Sequence, residues 1–286
     1  MDRDEQRRAA LANWDTMASG WERRRADIES VTAPVSEWLV AALAAQSGDV
    51  VLELAAGPGD TGFAAAPALG DDGRLISTDF SPEMVEVGRR RAAELGLTNV
   101  EHRVMDGQEL DLADDSVDRV VCRFGYMLML DPAAALAETR RVLKPGGRLV
   151  LAVWREPQRN PWVALAGRVL TEHGLVPPPD PDAPSMFAMA SDDRTRELLE
   201  GAGFTVERLA DVPVTFRYAT VDEYVANARD TGGMFASAWN DASEDERLEL
   251  TAALAEAFAP FAVDGGYALP GVAFCAVADN LTPRSG

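Results

Sequence analysis

Between about residue 46 and residue 154, five short apolar runs rich in β-branched residues alternate with helix-like stretches, and this alternation constrains the fold more than any other feature. Val50-Val51-Leu52-Glu53-Leu54 leads through Gly57-Pro58-Gly59 into Thr61–Ala68, a strand, a turn and a helix. Leu75–Asp79 reads as the next strand. Ser81-Pro82-Glu83 then supplies an N-cap, a proline at the first helical position and an acid in the first turn, opening a helix that stops at Gly96. Val100–Val104 and Val117–Cys122 are further strands. Asp131-Pro132 opens a helix that Lys144-Pro145-Gly146-Gly147 should end, and Arg148–Trp154 is the fifth strand. Runs that are apolar throughout mark strands buried on both faces, hence a parallel sheet with helices on both sides. The expectation is a doubly wound α/β core.

The flanks read differently. Residues 1–45 are helical in pattern and charged, with Trp14, Trp21 and Trp38 along them. Residues 155–190 carry Pro177, Pro178, Pro179, Pro181 and Pro184 and look like an irregular cap. Ser191–Leu199 is a short helix, and Phe204–Phe216 is one long strand. Thr220/Glu223 and Ser243/Glu246 match the capping box and announce two helices. Val272–Ala278 is a last strand before a loose tail. Charge and cysteine content exclude several partners. A net charge of −20 repels phosphate backbones, so nucleic acid and anionic membranes are poor partners. No apolar run reaches the roughly 20 residues of a membrane span, and no secretory leader is apparent, so the expected location is the cytoplasm. Two cysteines and two histidines make a Cys/His metal centre improbable, and no metal is expected.

The chemistry concentrates at the ends of the first three strands. Gly57 and Gly59 let a ligand approach the backbone where N–H groups open a helix. With Gly62 they also spell the pattern of dinucleotide binders, which keeps an NAD-dependent oxidoreductase as the alternative. Asp79 closes the second strand about 20 residues beyond the turn, where it can accept hydrogen bonds from ribose hydroxyls. Asp106, with Gly107 and Gln108, offers an acid and an amide to an adenine edge. Glu53, inside the first strand, needs an N–H or cationic partner if buried and ionised; an ammonium-bearing ligand is one source.

Residues 51–60, 79–84, 105–110 and 143–149 together resemble the class I S-adenosylmethionine-dependent methyltransferases. The resemblance is strongest to the type 11 branch that contains the ubiquinone/menaquinone-biosynthesis C-methyltransferases. It covers about residues 48–154 closely and the flanks loosely. It implies a mostly parallel seven-stranded sheet whose last strand is antiparallel, with a helical cap. S-adenosyl-L-methionine would be the cofactor and S-adenosyl-L-homocysteine the product. It implies one domain over 1–286: an N-terminal helical cap at 1–45, a cofactor-binding core at 46–154, and substrate-cap insertions at 155–190 and 217–265. By analogy Gly57 and Gly59 line the methionine part, Asp79 holds the ribose, and Phe80 and Met84 sandwich adenine. Asp106, Gly107 and Gln108 read its edge, Arg123 and Phe124 close the pocket, and Trp21 (or Trp14) covers the methionyl end. Ala55 stands where the wider class has a glycine and marks the quinone-type branch.

Methyl transfer from a sulfonium is an in-line displacement whose electrophile the cofactor supplies; the protein aligns the partners and excludes water. A general base is needed only where the acceptor must lose a proton, and His173 and Tyr126 are the candidates, with His102 read as structural. Tyr126, Trp154, Trp162 and Phe187 offer broad apolar surface for an apolar or aromatic small-molecule acceptor, methylated on carbon or oxygen. Arg155 and Arg159 read as surface ion-pair residues. A homodimer is a possible assembly.

Overall fold

The structure is a computed structural model that describes residues 2–178 and 185–281. Pro179, Pro181 and Pro184 of the expected cap, and the tail after residue 281, lie outside the described residues. The chain runs α1 (Arg3–Leu43), β1 (Val50–Glu53), α2 (Asp60–Ala65), β2 (Arg74–Asp79), α3 (Pro82–Glu94), β3 (Val100–Val104), β4 (Val117–Arg123), α4 (Pro132–Val142) and β5 (Leu143–Trp154). It continues through α5 (Pro161–Glu172), α6 (Asp192–Gly201), β6 (Thr205–Tyr218), α7 (Val221–Thr231), α8 (Gly233–Asp241), α9 (Glu244–Phe258), β7 (Ala262–Val263) and β8 (Gly266–Asp279).

Strand order is β3-β2-β1-β4-β5-β8-β6, with the two-residue β7 pairing β8. Neighbours from β3 to β5 are parallel, whereas β8 runs antiparallel to both β5 and β6. The sheet is therefore the doubly wound, mostly parallel one expected, with one small strand added. Central strands are buried on both faces, as their unbroken apolar runs require: Val51, Leu52, Val120, Val121, Val150 and Leu151 are fully enclosed. Each such side chain contributes roughly 1.5–3 kcal/mol by leaving water. The main apolar core surrounds the sheet and the C-terminal half of α1. A second lies among α5, α7, α8, α9 and the far ends of β6 and β8.

Helix starts follow the sequence closely. Ser81, Asp131, Ser191, Thr220 and Ser243 each accept a hydrogen bond from a first-turn amide. At Ser243 the capping box is complete. At Thr220 the reciprocal acid Glu223 reaches the Ala219 amide instead.

Three expectations need correction. The fifth strand begins at Leu143 rather than Arg148: Lys144–Gly147 follows the end of α4 as expected but extends β5, because the Gly146 amide donates to the Asn280 carbonyl and the Asn280 amide to that of Gly147. The segment after β5 is not irregular throughout: Trp162, Leu165, Ala166, Val169 and Leu170 give α5 an apolar stripe. The region after β6 holds three helices rather than two, α7 and α8 being separated by Gly232.

Helix α1 explains how the N-terminal segment reaches the sheet edge. Asp2 and Glu5 form its capping box, and it spans 41 residues. No residue of it before Met17 is buried, whereas Thr32, Val35, Leu39, Ala42 and Leu43 recur at three- to four-residue spacing against the core. Midway, Gly20 lets α1 meet α7 backbone to backbone: a Cβ there would fall 2.0 Å from the Asp230 carbonyl oxygen. Arg23 and Arg24 both bind the Asp230 carboxylate at 2.7 Å.

Candidate functional site

The glycine turn after β1 is organised by two carboxylates. Glu53, 2% exposed, accepts from the Gly62 amide at 2.7 Å and the Ser77 hydroxyl at 3.3 Å. The N–H partner that its burial demanded thus comes from the chain itself. Gly62 has no room for a side chain, since a Cβ would lie 2.2 Å from Glu53 Oε2. That contact accounts for the third glycine without a pyrophosphate. Burial pushes the Glu53 carboxyl up to about 7, opposed by the Gly62 amide and the Arg123 charge. Asp79 accepts from the Gly57 amide at 2.9 Å through one oxygen and from the Ser81 amide at 2.9 Å through the other. Burial raises its pKa, and these amides counter the rise.

Gly57 adopts φ 52°, and a Cβ built on it would meet no atom beyond its chain neighbours within 4 Å. The turn is open there, as a backbone cradle for a ligand must be. Ala55 at φ 51° and Phe124 at φ 64° are ordinary residues held in left-handed backbone at the ends of the adjacent strands β1 and β4. Such conformations cost about 1–3 kcal/mol each and gather where function requires them. The two turns touch: a Cβ on Gly125 would lie 2.6 Å from both Ala55 Cβ and Cys122 Sγ.

At the end of β3, Asp106 Oδ1 accepts from the Gln108 amide at 2.9 Å and its side-chain Nε2 at 3.2 Å. Gln108 Oε1 in turn accepts from the Asp131 amide at 2.9 Å. Gly107 is backed by Met129, whose methyl would be 2.7 Å from a Cβ at that position. A groove of about 380 Å³ runs between Arg7, Arg8 and Leu11 of α1 and Phe80, Pro82, Val104, Met105 and Asp106 of the sheet edge. Gly57, Asp79, Phe80, Asp106 and Gln108 are thus gathered on the ends of β1, β2 and β3, where parallel α/β sheets bind ligands. These residues fit an adenosyl group: acceptors for hydroxyls and an amine, an aromatic face, and an open backbone turn.

Several expected residues stand elsewhere. Met84 turns into the α1–α3 contact, buried with Ala18 and Val87 under the partly buried Trp14 and Trp21, so it does not face Phe80 across the groove; Met105 lines the groove instead. Trp21 packs on Trp14 at 6.0 Å and donates to the Thr231 carbonyl at 3.2 Å, which ties α1 to α7. Arg123 points at α1 and α2, binding Thr32 Oγ1 at 2.7 Å, Ser36 Oγ at 2.9 Å and Asp60 Oδ2 at 3.3 Å. Asp60 also pairs Arg91 and lies 3.8 Å from Arg25.

Tyr126 is wholly buried, its hydroxyl 2.6 Å from Thr139 Oγ1, and burial raises its pKa; it cannot serve as a base or touch an acceptor. His173 ends α5 with Nδ1 2.8 Å from the Val169 carbonyl of its own helix. That helix packs chiefly on α9 and β8, not on the acid-bearing strands. His102, in β3, packs edge-on against Phe63 of α2. Arg155 and Arg159 both pair Asp211 at 2.6 Å; Arg159 has the surface role expected, whereas Arg155 is largely covered and lies over the Phe274 ring at 3.5 Å.

The aromatic residues form a row. Phe124 stacks on Trp154 at 4.1 Å, Trp154 meets Trp162 edge-on at 5.2 Å, and Trp162 stacks on Phe216 at 4.0 Å. Asn160, fully buried, accepts from the Trp162 indole at 3.1 Å and fixes its ring. Phe187 packs against the same core. Arg7 and Asp15, which reach Asp106 and the Ser81 hydroxyl, are site-edge residues that sequence reading missed, because they sit in a helix whose charges look solvated. Phe216 sits inside a run legible only as a strand, so its place in the aromatic row was missed too.

A model of the ubiE/COQ5 methyltransferase family matches residues 36–163. The ubiquinone/menaquinone biosynthesis C-methyltransferase UbiE of Teredinibacter turnerae is 34% identical over 167 residues, 55% of this chain and 67% of that one. Demethylmenaquinone methyltransferase of Clavibacter sepedonicus is 43% identical over 123 residues, 42% and 48% of the two chains. The matches thus span about half to two thirds of these relatives. A crystal structure from Bacillus halodurans C-125 shares the fold with a TM-score of 0.62 at 21% identity, over 86% of this chain and 99% of that one. Nothing among these relatives favours the nicotinamide reading of the glycine turn. The chain belongs to the ubiE/COQ5 methyltransferase family, class I enzymes whose methyl donor is S-adenosyl-L-methionine.

Proposed function

We propose that the chain transfers a methyl group to a ring carbon of a flat, apolar, electron-rich acceptor of the quinol or phenol kind. The observation that carries the reading is that Gly57, Asp79 and Asp106 stand at the C-terminal ends of the adjacent parallel strands β1, β2 and β3, with Asp79 accepting from the Gly57 amide. The names of the relatives favour carbon over oxygen as the methylated atom. S-adenosyl-L-methionine, when bound, supplies the electrophilic methyl group. Gly57 and Gly59 would line its methionyl part, Asp79 would take the ribose hydroxyls, and Phe80, Asp106 and Gln108 would hold the adenine. The aromatic row from Phe124 to Phe216 would seat the acceptor ring and keep water from the transfer line. Alignment and water exclusion together account for roughly 7–11 kcal/mol in such reactions.

In this reading one domain is divided as the sequence suggests, with residues 46–154 as the cofactor core and the flanks as cap. Residues 155–190 and 217–265 shape the acceptor side. The enzyme works in the cytoplasm, alone or as a homodimer. The free, buried thiols of Cys122 and Cys275, both pushed up to about 12 by burial, suit a reducing compartment. Among the described residues no helix is long and apolar enough to cross a membrane.

Calorimetric titration with S-adenosylhomocysteine tests the cofactor site: Asp79→Ala should bind it at least tenfold more weakly. Unchanged affinity would remove Asp79 from the site. Assay with demethylmenaquinol and simple quinols tests the acceptor. Phe216→Ala should raise the acceptor KM several-fold and leave S-adenosylhomocysteine affinity unchanged. Methylation only of charged, non-aromatic acceptors would overturn the acceptor class.

A further inference from the structure

The first turns of α1 lie on the residues assigned above to adenine. Arg7 Nε is 2.8 Å from Asp106 Oδ2, and its guanidinium carbon is 5.6 Å from the centre of the Phe80 ring. A planar group that donates N–H to Asp106 and lies over Phe80 is what an adenine would also present. We propose that Arg7 competes with the cofactor for this place, so that the start of α1 is an ionic strap that must lift for an adenosyl ligand to bind. The proposal rests on the cofactor reading.

The strap is built to release. No α1 residue before Met17 is buried, and apart from Trp14, which packs partly buried on the Met84 cluster, this segment is held by polar contacts. Arg3 pairs Asp131 at 3.4 Å, Arg7 pairs Asp106, and Asp15 accepts from the Ser81 hydroxyl. Beyond it the helix is fixed: Trp21 to Thr231, Arg23 and Arg24 to Asp230, and Gly20 against the α7 backbone. The receiving side does not depend on Arg7, since Asp106 Oδ1 keeps both bonds from Gln108 and Asp131 is held by Gln108 Oε1. Arg3 and Arg7 therefore grip a single pre-ordered network from outside. The Arg7 side chain is 45% exposed and that of Asp106 10%, so the grip is a half-buried ion pair reinforced by a ring contact and open to solvent on the arginine side, strong enough to compete and able to open.

The test is Arg7→Ala, a surface change that leaves the core untouched. Without ligand, amides of residues 3–15 should exchange faster in the variant than in the wild type, a readout that owes nothing to cofactor chemistry. With S-adenosylhomocysteine in 0.05 M salt, the variant should associate faster and bind about five- to thirtyfold more tightly. The gap should narrow in 0.5 M salt, where the ion pair is screened in the wild type. Equal or weaker binding by the variant, with the wild type still binding, overturns the strap and leaves the cofactor site standing. A wild type that does not bind S-adenosylhomocysteine overturns the cofactor reading, and the strap with it.

Discussion

Glu53 is held wholly inside the protein beneath the turn it supports, and its proton is the most consequential one near the site. Its carboxyl ionises near 4.5 in the unfolded chain and near 7 in the fold. Below the lower value both states are protonated, and above the higher both are charged. Between them only the unfolded chain loses its proton, so stability falls as pH rises, by up to about 3 kcal/mol. Asp79, also raised by burial, adds a slope of the same sign. Urea unfolding at pH 5 and pH 8 should show this loss in the wild type, and Glu53→Gln should largely remove it. Gly62→Ala should fail differently: its Cβ collides with the Glu53 carboxylate at any pH, costing about 1–3 kcal/mol by overpacking. At this scale the acids at strand ends were legible, because a charge in an apolar run has to be explained. The directions of Met84, Arg123 and Tyr126 were not, because they depend on how α1 and α4 press on the sheet. A sequence records that Tyr126 follows a strand, but not that Thr139 waits for its hydroxyl.

Among the elements, the joint between α1 and α7 carries the mechanical load of the cap. Two arginines and an indole cross it, and it closes only because Gly20 has no side chain. Gly20→Ala should therefore lower stability by about 1–3 kcal/mol despite the better helix propensity of alanine, which a melt followed by circular dichroism will show. The opposite sign, a more stable variant, would mean that the helices meet less closely than described. Strands β1 to β4 and the starts of α3 and α4 could be placed from the sequence because runs and caps are local signals. The Lys144–Gly147 stretch could not, because its partner Asn280 lies far along the chain and no local pattern announces it. Helix α5 hid among prolines for a related reason: its apolar stripe has meaning only against α9 and β8.

The whole molecule carries a net charge of −20, and its cations are largely committed to pairs with neighbouring acids. Uncompensated repulsion should then dominate the salt response. Raising sodium chloride from 0.02 to 0.3 M is expected to raise the midpoint of thermal unfolding by a few degrees, whereas a fall would show that the ion pairs outweigh the excess charge. The sheet itself is closed by a strand running against its neighbours. Because β8 enters between β5 and β6, those two strands are synthesised before the segment that will separate them. Until Gly266–Asp279 arrives, each presents a row of unpaired amides and carbonyls to the other and to passing chains. Assembly on the ribosome thus ends like a zip drawn last through a gap already shaped for it, and a chain halted before that point would be sticky rather than merely incomplete.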